Sequence, residues 1–336
     1  MPLKIESTRN LGLDVLRAFA IILVLLAHLG GSWAAKYQTG LWGVHLFFVL
    51  SGYLITTRFL ASDSGSWSSY VVFLARRAAR ILPVYVLCLL LLWMLYPDDM
   101  SSRWKDLFFF YANYSPAYQS QELTSFTHFW SLSLEVQFYI IWPLLLLLVP
   151  GKPMYRLLLA FSCMLLCYGQ FYLDFIPGLT AYRWVGLFPQ GFSLFMGAMG
   201  AFILKNRTIN LKSPVLEWLM AIGLVLTILW GGWWKYIAVP VCYLYWILNG
   251  SAASTNPSIF QTILSSRPLA YIGRISYGLY IFHVPIYCTL RSYGSMQGIA
   301  LSLLTVVLSG LLASFSFHLL EMPVISWSRR RFKQQG

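Results

Sequence analysis

The stretch LDVLRAFAIILVLLAHLG, Leu13–Gly30, decides the fold: it is apolar over a length that crosses a bilayer, yet it carries Asp14, Arg17 and His28. About 20 consecutive apolar residues span the hydrocarbon core, and an ionisable group there is costly enough to require a partner or a task. At about 100° per helical residue, the three side chains fall within an arc of roughly 60° on one face. A rise of about 1.5 Å per residue separates Arg17 from His28 by roughly 16 Å, placing a guanidinium near one membrane surface and an imidazole in the opposite half. One helix thus offers chemistry at two depths.

The rest of the chain has the same apolar character. Of 336 residues, 58% are hydrophobic and only 10% are charged, with a mean hydropathy of +0.66. No soluble protein of this size builds its surface from such a composition. The expectation is an all-α polytopic integral membrane protein, a single transmembrane domain over 1–336. Its net charge of +13 points to topology and to contact with anionic membrane lipids rather than to nucleic acid. Cys88, Cys163, Cys167, Cys242 and Cys288 lie in apolar runs without metal-ligand spacing, so they read as packing residues and no metal is expected. The polar start, MPLKIESTRN, and the long apolar run after it read as a retained first span rather than a cleaved signal.

Apolar runs predict about ten transmembrane helices, at roughly 11–33, 40–60, 81–96, 129–149, 157–177, 188–204, 215–233, 235–249, 269–290 and 298–320, followed by a basic tail at 328–336. A basic segment, Tyr70–Arg80, leads into the third span, and Pro97–His128 reads as an interfacial stretch with a short aromatic run, Phe108–Tyr111. With the N-terminus inside, the inner segments collect Arg76, Arg77, Arg80, Lys152, Arg156, Arg267, Arg274 and the tail, whereas the outer ones hold only Lys36, Arg103, Lys105, Arg183, Lys235 and Arg291. That asymmetry places both termini in the cytoplasm. No internal repeat is visible.

The polar groups within these spans carry the functional reading. Asp14 and Arg17, one turn apart, form a salt bridge that lets both tolerate the membrane, yet a guanidinium held by one carboxylate still offers donors to a phosphate. Arg76, Arg77 and Arg80 line one end of the third span. They read either as positive-inside anchoring or, with Arg17 at the same depth, as convergent donors for a polyphosphate. Glu135 sits about 8 Å below the outer end of the fourth span, where His28 is its candidate partner. Such a pair works as a general base or as a polar clamp between helices. Ser131 and His128 extend a polar stripe from Glu135 towards the outer mouth, beside Trp130. In the second span His45 lies near the outer end, with Ser51 and Gly52 at mid-span permitting close packing or approach to a ligand. His283, beside Pro285, reads as a helix-packing residue, and Glu321 as a local partner of His318.

These stretches together resemble the acyltransferase 3 family of integral membrane O-acyltransferases. The resemblance rests on LeuAspXLeuArg (Leu13–Arg17) with ten residues between Arg17 and His28, FFVLSGYLI (Phe47–Ile55), RAARILP (Arg77–Pro83), FWSLSLEVQFY (Phe129–Tyr139), GRISYGLYIFHVP (Gly273–Pro285) and EMP (Glu321–Pro323). It implies transfer of an acyl group, acetyl by default, from cytoplasmic acyl-CoA to a hydroxyl of an extracytoplasmic or lipid-linked carbohydrate, in a bacterial inner membrane. On that resemblance Arg17, Arg76, Arg77, Arg80 and Ser51 serve the donor. His28 activates the acceptor hydroxyl with Glu135 in support, and His45, His128, Ser131 and Trp130 face the acceptor. Asp14, His283 and Glu321 are structural. His45 stands where the family commonly has Asp or Gln, so acceptor choice is expected to differ. Some members carry a fused extracytoplasmic hydrolase-like domain, so any such partner is expected to be a separate protein. The competing reading is a transporter of an acylated sugar, a lipid or the acyl donor, with buried His and Glu as a proton relay. The lack of repeated or broken spans in matching halves counts against it.

Overall fold

The computed structural model describes residues 10–29, 31–61, 66–115, 124–149, 151–206, 213–230, 232, 234–250, 258–294 and 297–332. The end of the basic tail, 333–336, and part of the connection after Asn249 lie outside these residues. Among them all regular structure is helical. The helices are α1 (Leu11–Leu29), α2 (Gly31–Lys36), α3 (Thr39–Ala61), α4 (Trp67–Leu95), α5 (Pro97–Phe108), α6 (Phe129–Leu148), α7 (Pro153–Leu173) and α8 (Leu187–Gln190). They continue with α9 (Phe192–Asn206), α10 (Pro214–Trp230), α11 (Lys235–Gly250), α12 (Ile259–Leu264), α13 (Arg267–Arg274), α14 (Ser276–Tyr293), α15 (Gly298–Ser316) and α16 (Met322–Arg331).

Among the described residues, six stretches are long and apolar enough to cross a bilayer: those of α1, α3, α4, α6, α7 and the continuous run Gly298–Arg331. The protein is therefore a helical integral membrane protein. The expected sixth to ninth spans map onto shorter or interrupted helices. The sixth begins as α8 and continues as α9, and the ninth is divided at Ile275 between α13 and α14. At 16 residues, α11 rises only about 24 Å, short of the ~30 Å core. The third span starts earlier than its hydropathy indicated, because α4 runs unbroken for 29 residues from Trp67 and takes the basic segment into the helix. Its first turn is held by Ser66, whose side chain accepts from the Ser69 amide, and Pro83 lies within it. Between α15 and α16 the five-residue π-helical turn Phe317–Glu321 keeps the chain helical. His318 is exposed there and Glu321 is buried.

Packing divides the chain into two units, 1–50 with 206–276, and 51–205 with 277–336. In the first, α13 lies along α1. Its Ala270 is fully buried, and Gly273 comes so close that a Cβ would stand 1.7 Å from the Asp14 carbonyl oxygen. In the second, Gly52 makes a similar approach, with a Cβ 1.8 Å from the Leu194 carbonyl oxygen. Nearby, the Trp142 indole donates to Thr56 Oγ1 (2.8 Å), whose hydroxyl donates to the Gly52 carbonyl (2.7 Å). Alanine normally favours a helix over glycine by about 1 kcal/mol. Gly273→Ala should do the reverse and lower stability by about 3 kcal/mol or more through overpacking, read as a fall in thermal midpoint in detergent.

Candidate active site

In the first unit, α1 supplies both polar ends of the expected reach. Asp14 is buried and its Oδ1 accepts from Arg17 Nη1, one turn on. Arg274, at the end of α13, brings its Nε to 3.8 Å from Asp14 Oδ2, so two guanidinium groups converge on one carboxylate. Sequence spacing could not show this, because the approach depends on Gly273. His28 lies in the last turn of α1 and is half-buried. His45, expected at an outer mouth, is instead fully buried among Trp42, Phe48 and Tyr236, with ring centroids 5.8, 6.2 and 6.4 Å away. The rim of that aromatic group is cationic: Lys235 Nζ lies 5.6 Å from the Trp42 ring and 5.4 Å from that of Tyr236, and donates to Gln38 Oε1 (3.1 Å).

In the second unit the carboxylate of Glu135 accepts from Ser51 Oγ and from the Tyr139 hydroxyl. Tyr139 is one helical turn from Glu135, so the spacing could have revealed it. Arg77 completes the group. Its guanidinium packs 5.1 Å from the Phe73 ring and 5.6 Å from that of Tyr139, and it interacts electrostatically with Tyr139, Arg80 and Glu135. Tyr139 is the eleventh residue of the 20-residue α6, about 15 Å from either end. Arg77 therefore meets α6 at its midpoint, deeper than the expected inner end of a span. The cluster also splays: Arg76 is exposed and donates to the Phe332 carbonyl (3.1 Å), while Arg77 and Arg80 are half-buried.

A second polar group joins the start of α6 to α14. Pro285 has no N–H, which frees the Ile281 carbonyl one turn earlier. His128 Nε2 lies 3.1 Å from that oxygen, and since a carbonyl only accepts, Nε2 carries the hydrogen. By the same reasoning His283 holds its hydrogen on Nδ1, 2.8 Å from the Tyr280 carbonyl. The two imidazole rings are 5.4 Å apart. The Tyr280 hydroxyl donates to the His128 carbonyl (2.7 Å) and accepts from Ser131 Oγ. Trp130, beside Ser131, is half-buried. Buried Glu321 is an electrostatic neighbour of Tyr277. Tyr280→Phe removes the hydroxyl that joins α14 to α6, and should cost about 1–3 kcal/mol of stability in denaturation of the purified protein.

His28 and Glu135 belong to different units, and within its own unit Glu135 is partnered by Ser51, Tyr139 and Arg77. Among the described residues no group of three His, Cys, Asp or Glu side chains could hold a metal. The molecule is thus a membrane helical protein with ionisable groups built into its spans and held by hydrogen bonds. Residues 10–320 match the profile of the acyltransferase domain, and the chain belongs to the acyltransferase 3 family. It is 29% identical to the O-acetyltransferase OatA of Staphylococcus aureus (strain NCTC 8325 / PS 47), over 96% of this chain and 58% of that protein. It is also 29% identical to the putative peptidoglycan O-acetyltransferase YrhL of Bacillus subtilis (strain 168), with 96% and 56% covered. The peptidoglycan O-acetyltransferase OatA of Listeria monocytogenes is 29% identical, with 93% and 55% covered. The chain spans a little over half the length of these relatives. No solved structure matches it.

Proposed function

We propose that the protein transfers an acyl group, acetyl by default, from cytoplasmic acyl-CoA to a hydroxyl of a cell-envelope carbohydrate, in the bacterial cytoplasmic membrane. The observation that carries this reading is α1. It holds Arg17 in an ion pair near one end and a half-buried His28 eleven residues further on, within a chain of the acyltransferase 3 family. The relatives' names point to peptidoglycan as the acceptor class. The roughly 16 Å between Arg17 and His28 suits a donor whose phosphates stay at the inner face while its thioester arm reaches further in.

In this reading Arg17, Arg76 and Arg80 offset the donor's phosphate charge, and Arg77 steadies the Glu135 carboxylate. His28 takes the proton of the acceptor hydroxyl as its oxygen attacks the thioester carbonyl. The C–O bond forms, the C–S bond breaks, and the departing thiolate takes up the proton to leave as free CoA thiol. Ser51 and Ser131 already give their hydroxyl protons to Glu135 and Tyr280. Backbone N–H groups are the donors this reading assigns to the developing oxyanion. The test is thiol release from acetyl-CoA by the protein in lipid nanodiscs, with a peptidoglycan-fragment acceptor. Thiol release matched by acetylated glycan supports the reading. No thiol release with any carbohydrate acceptor rejects it.

A further inference from the structure

The first unit holds a set of buried polar atoms that the mechanism above does not use, at the start of α10 and the end of α11. Glu217 lies in the first turn of α10, only 3% exposed, and its Oε2 makes no hydrogen bond. On α11, Tyr245 interacts with both Glu217 and Asn249. Asn249 is 5% exposed, and of the two hydrogens on its Nδ2 at most one is engaged, by Tyr245, which leaves the other without an acceptor. The Trp246 Nε1 is likewise buried without an acceptor. Helical geometry places Tyr245, Trp246 and Asn249 on one side of α11, within about 100°. An aromatic wall adjoins them: the Phe260 ring of α12 lies 5.3 Å from Trp218 and 6.1 Å from Trp246. Trp218, next to Glu217, is half-exposed.

Buried polar atoms of this kind normally have partners, and a buried carboxylate oxygen is the least tolerable of them without one. The required complement is specific. Glu217 Oε2 needs an N–H or O–H, while Asn249 Nδ2 and Trp246 Nε1 need acceptors, beside indole and phenyl rings. The amino edge of a purine has this pattern, an exocyclic N–H next to a ring-nitrogen acceptor on a flat ring that stacks on aromatic side chains. The charge asymmetry turns the start of α10 and the end of α11 to the cytoplasm, the side on which a nucleotide-bearing donor is met. Sugar hydroxyls could also satisfy the polar atoms, but the acceptor carbohydrate lies on the opposite side.

We propose that Glu217 and Asn249, with the Trp218–Phe260–Trp246 wall, form the subsite for the adenine base of the acyl donor, an inference that rests on acyl-CoA being that donor. Glu217 accepts from the exocyclic amino group and Asn249 donates to the adjacent ring nitrogen. Both are binding residues remote from the thioester, so they act on donor KM and leave kcat unchanged.

The test compares three donors with the full chain in nanodiscs: acetyl-CoA, S-acetyl-phosphopantetheine, which lacks the nucleotide, and an acetyl-CoA analogue with hypoxanthine in place of adenine. Glu217→Gln should raise the KM for acetyl-CoA about 10-fold or more, leave that for acetyl-phosphopantetheine unchanged, and improve use of the hypoxanthine donor, whose exocyclic carbonyl oxygen accepts from the new amide. Asn249→Leu should weaken acetyl-CoA use without that rescue. Equal losses on all three donors would assign these residues to folding alone, and unchanged kinetics would assign the polar atoms to bound water. Either result overturns the adenine subsite while leaving the acyl-CoA reaction standing. A wild-type protein that uses none of the donors rejects both readings.

Discussion

His28→Ala should lower acyl transfer by about 10²–10⁴-fold, the usual contribution of a positioned general base, while acetyl-CoA still binds with wild-type affinity. The separation follows from α1, because Arg17, the residue proposed to meet the donor's phosphates, stands roughly 16 Å from the imidazole and is held by Asp14. Single-turnover measurement of acetylated glycan, beside equilibrium binding of CoA, reads the two effects independently. Loss of CoA binding together with turnover would mean that His28 holds the fold of α1, and undiminished turnover would remove it from the chemistry.

The second large effect is expected at Glu135. Removing one member of a buried charge pair leaves the other uncompensated, at a cost of about 3–5 kcal/mol when burial is complete. Glu135 and Arg77 are half-buried, so Glu135→Ala should destabilise the protein by about 2–3 kcal/mol, a discount for residual solvation. The double variant Glu135→Ala with Arg77→Met should recover part of that loss, because it leaves neither charge stranded. Chemical denaturation of the four proteins gives the coupling. Strict additivity of the two single losses would show that Arg77 and Glu135 are energetically independent. Tyr139→Phe, which removes one of the two hydroxyl donors to Glu135, should cost less, about 1–2 kcal/mol.

The membrane class and most helix positions were legible because hydropathy and length act locally: α1, α3, α6 and α7 lie close to their expected spans. What escaped depended on partners distant in the chain. Hydropathy started the third span after Arg80, yet VVFLA before the arginines continues the helix, and Phe73 and Tyr139 give Arg77 a place within the protein. The ninth span was read as continuous, and the division at Ile275 becomes visible only with α13 lying on α1. At the site, the Asp14–Arg17 ion pair followed from spacing alone. His45 looked like a mouth residue from its place in the second span, but Trp42 and Phe48 from its own helix and Tyr236 from α11 enclose it. The donors to Glu135 divide the same way. Tyr139 was readable one turn away, whereas Ser51 lies 84 residues earlier in the sequence.

The most direct test of transfer across the membrane is a sided one. The protein is reconstituted into sealed vesicles of uniform orientation, with acetyl-labelled acetyl-CoA on the side of the basic tail and a peptidoglycan fragment enclosed on the other. Label is expected on the enclosed glycan, with an equal amount of free thiol appearing outside and none within. Label entering without thiol release, or glycan acetylated only when it shares the donor's compartment, would contradict it.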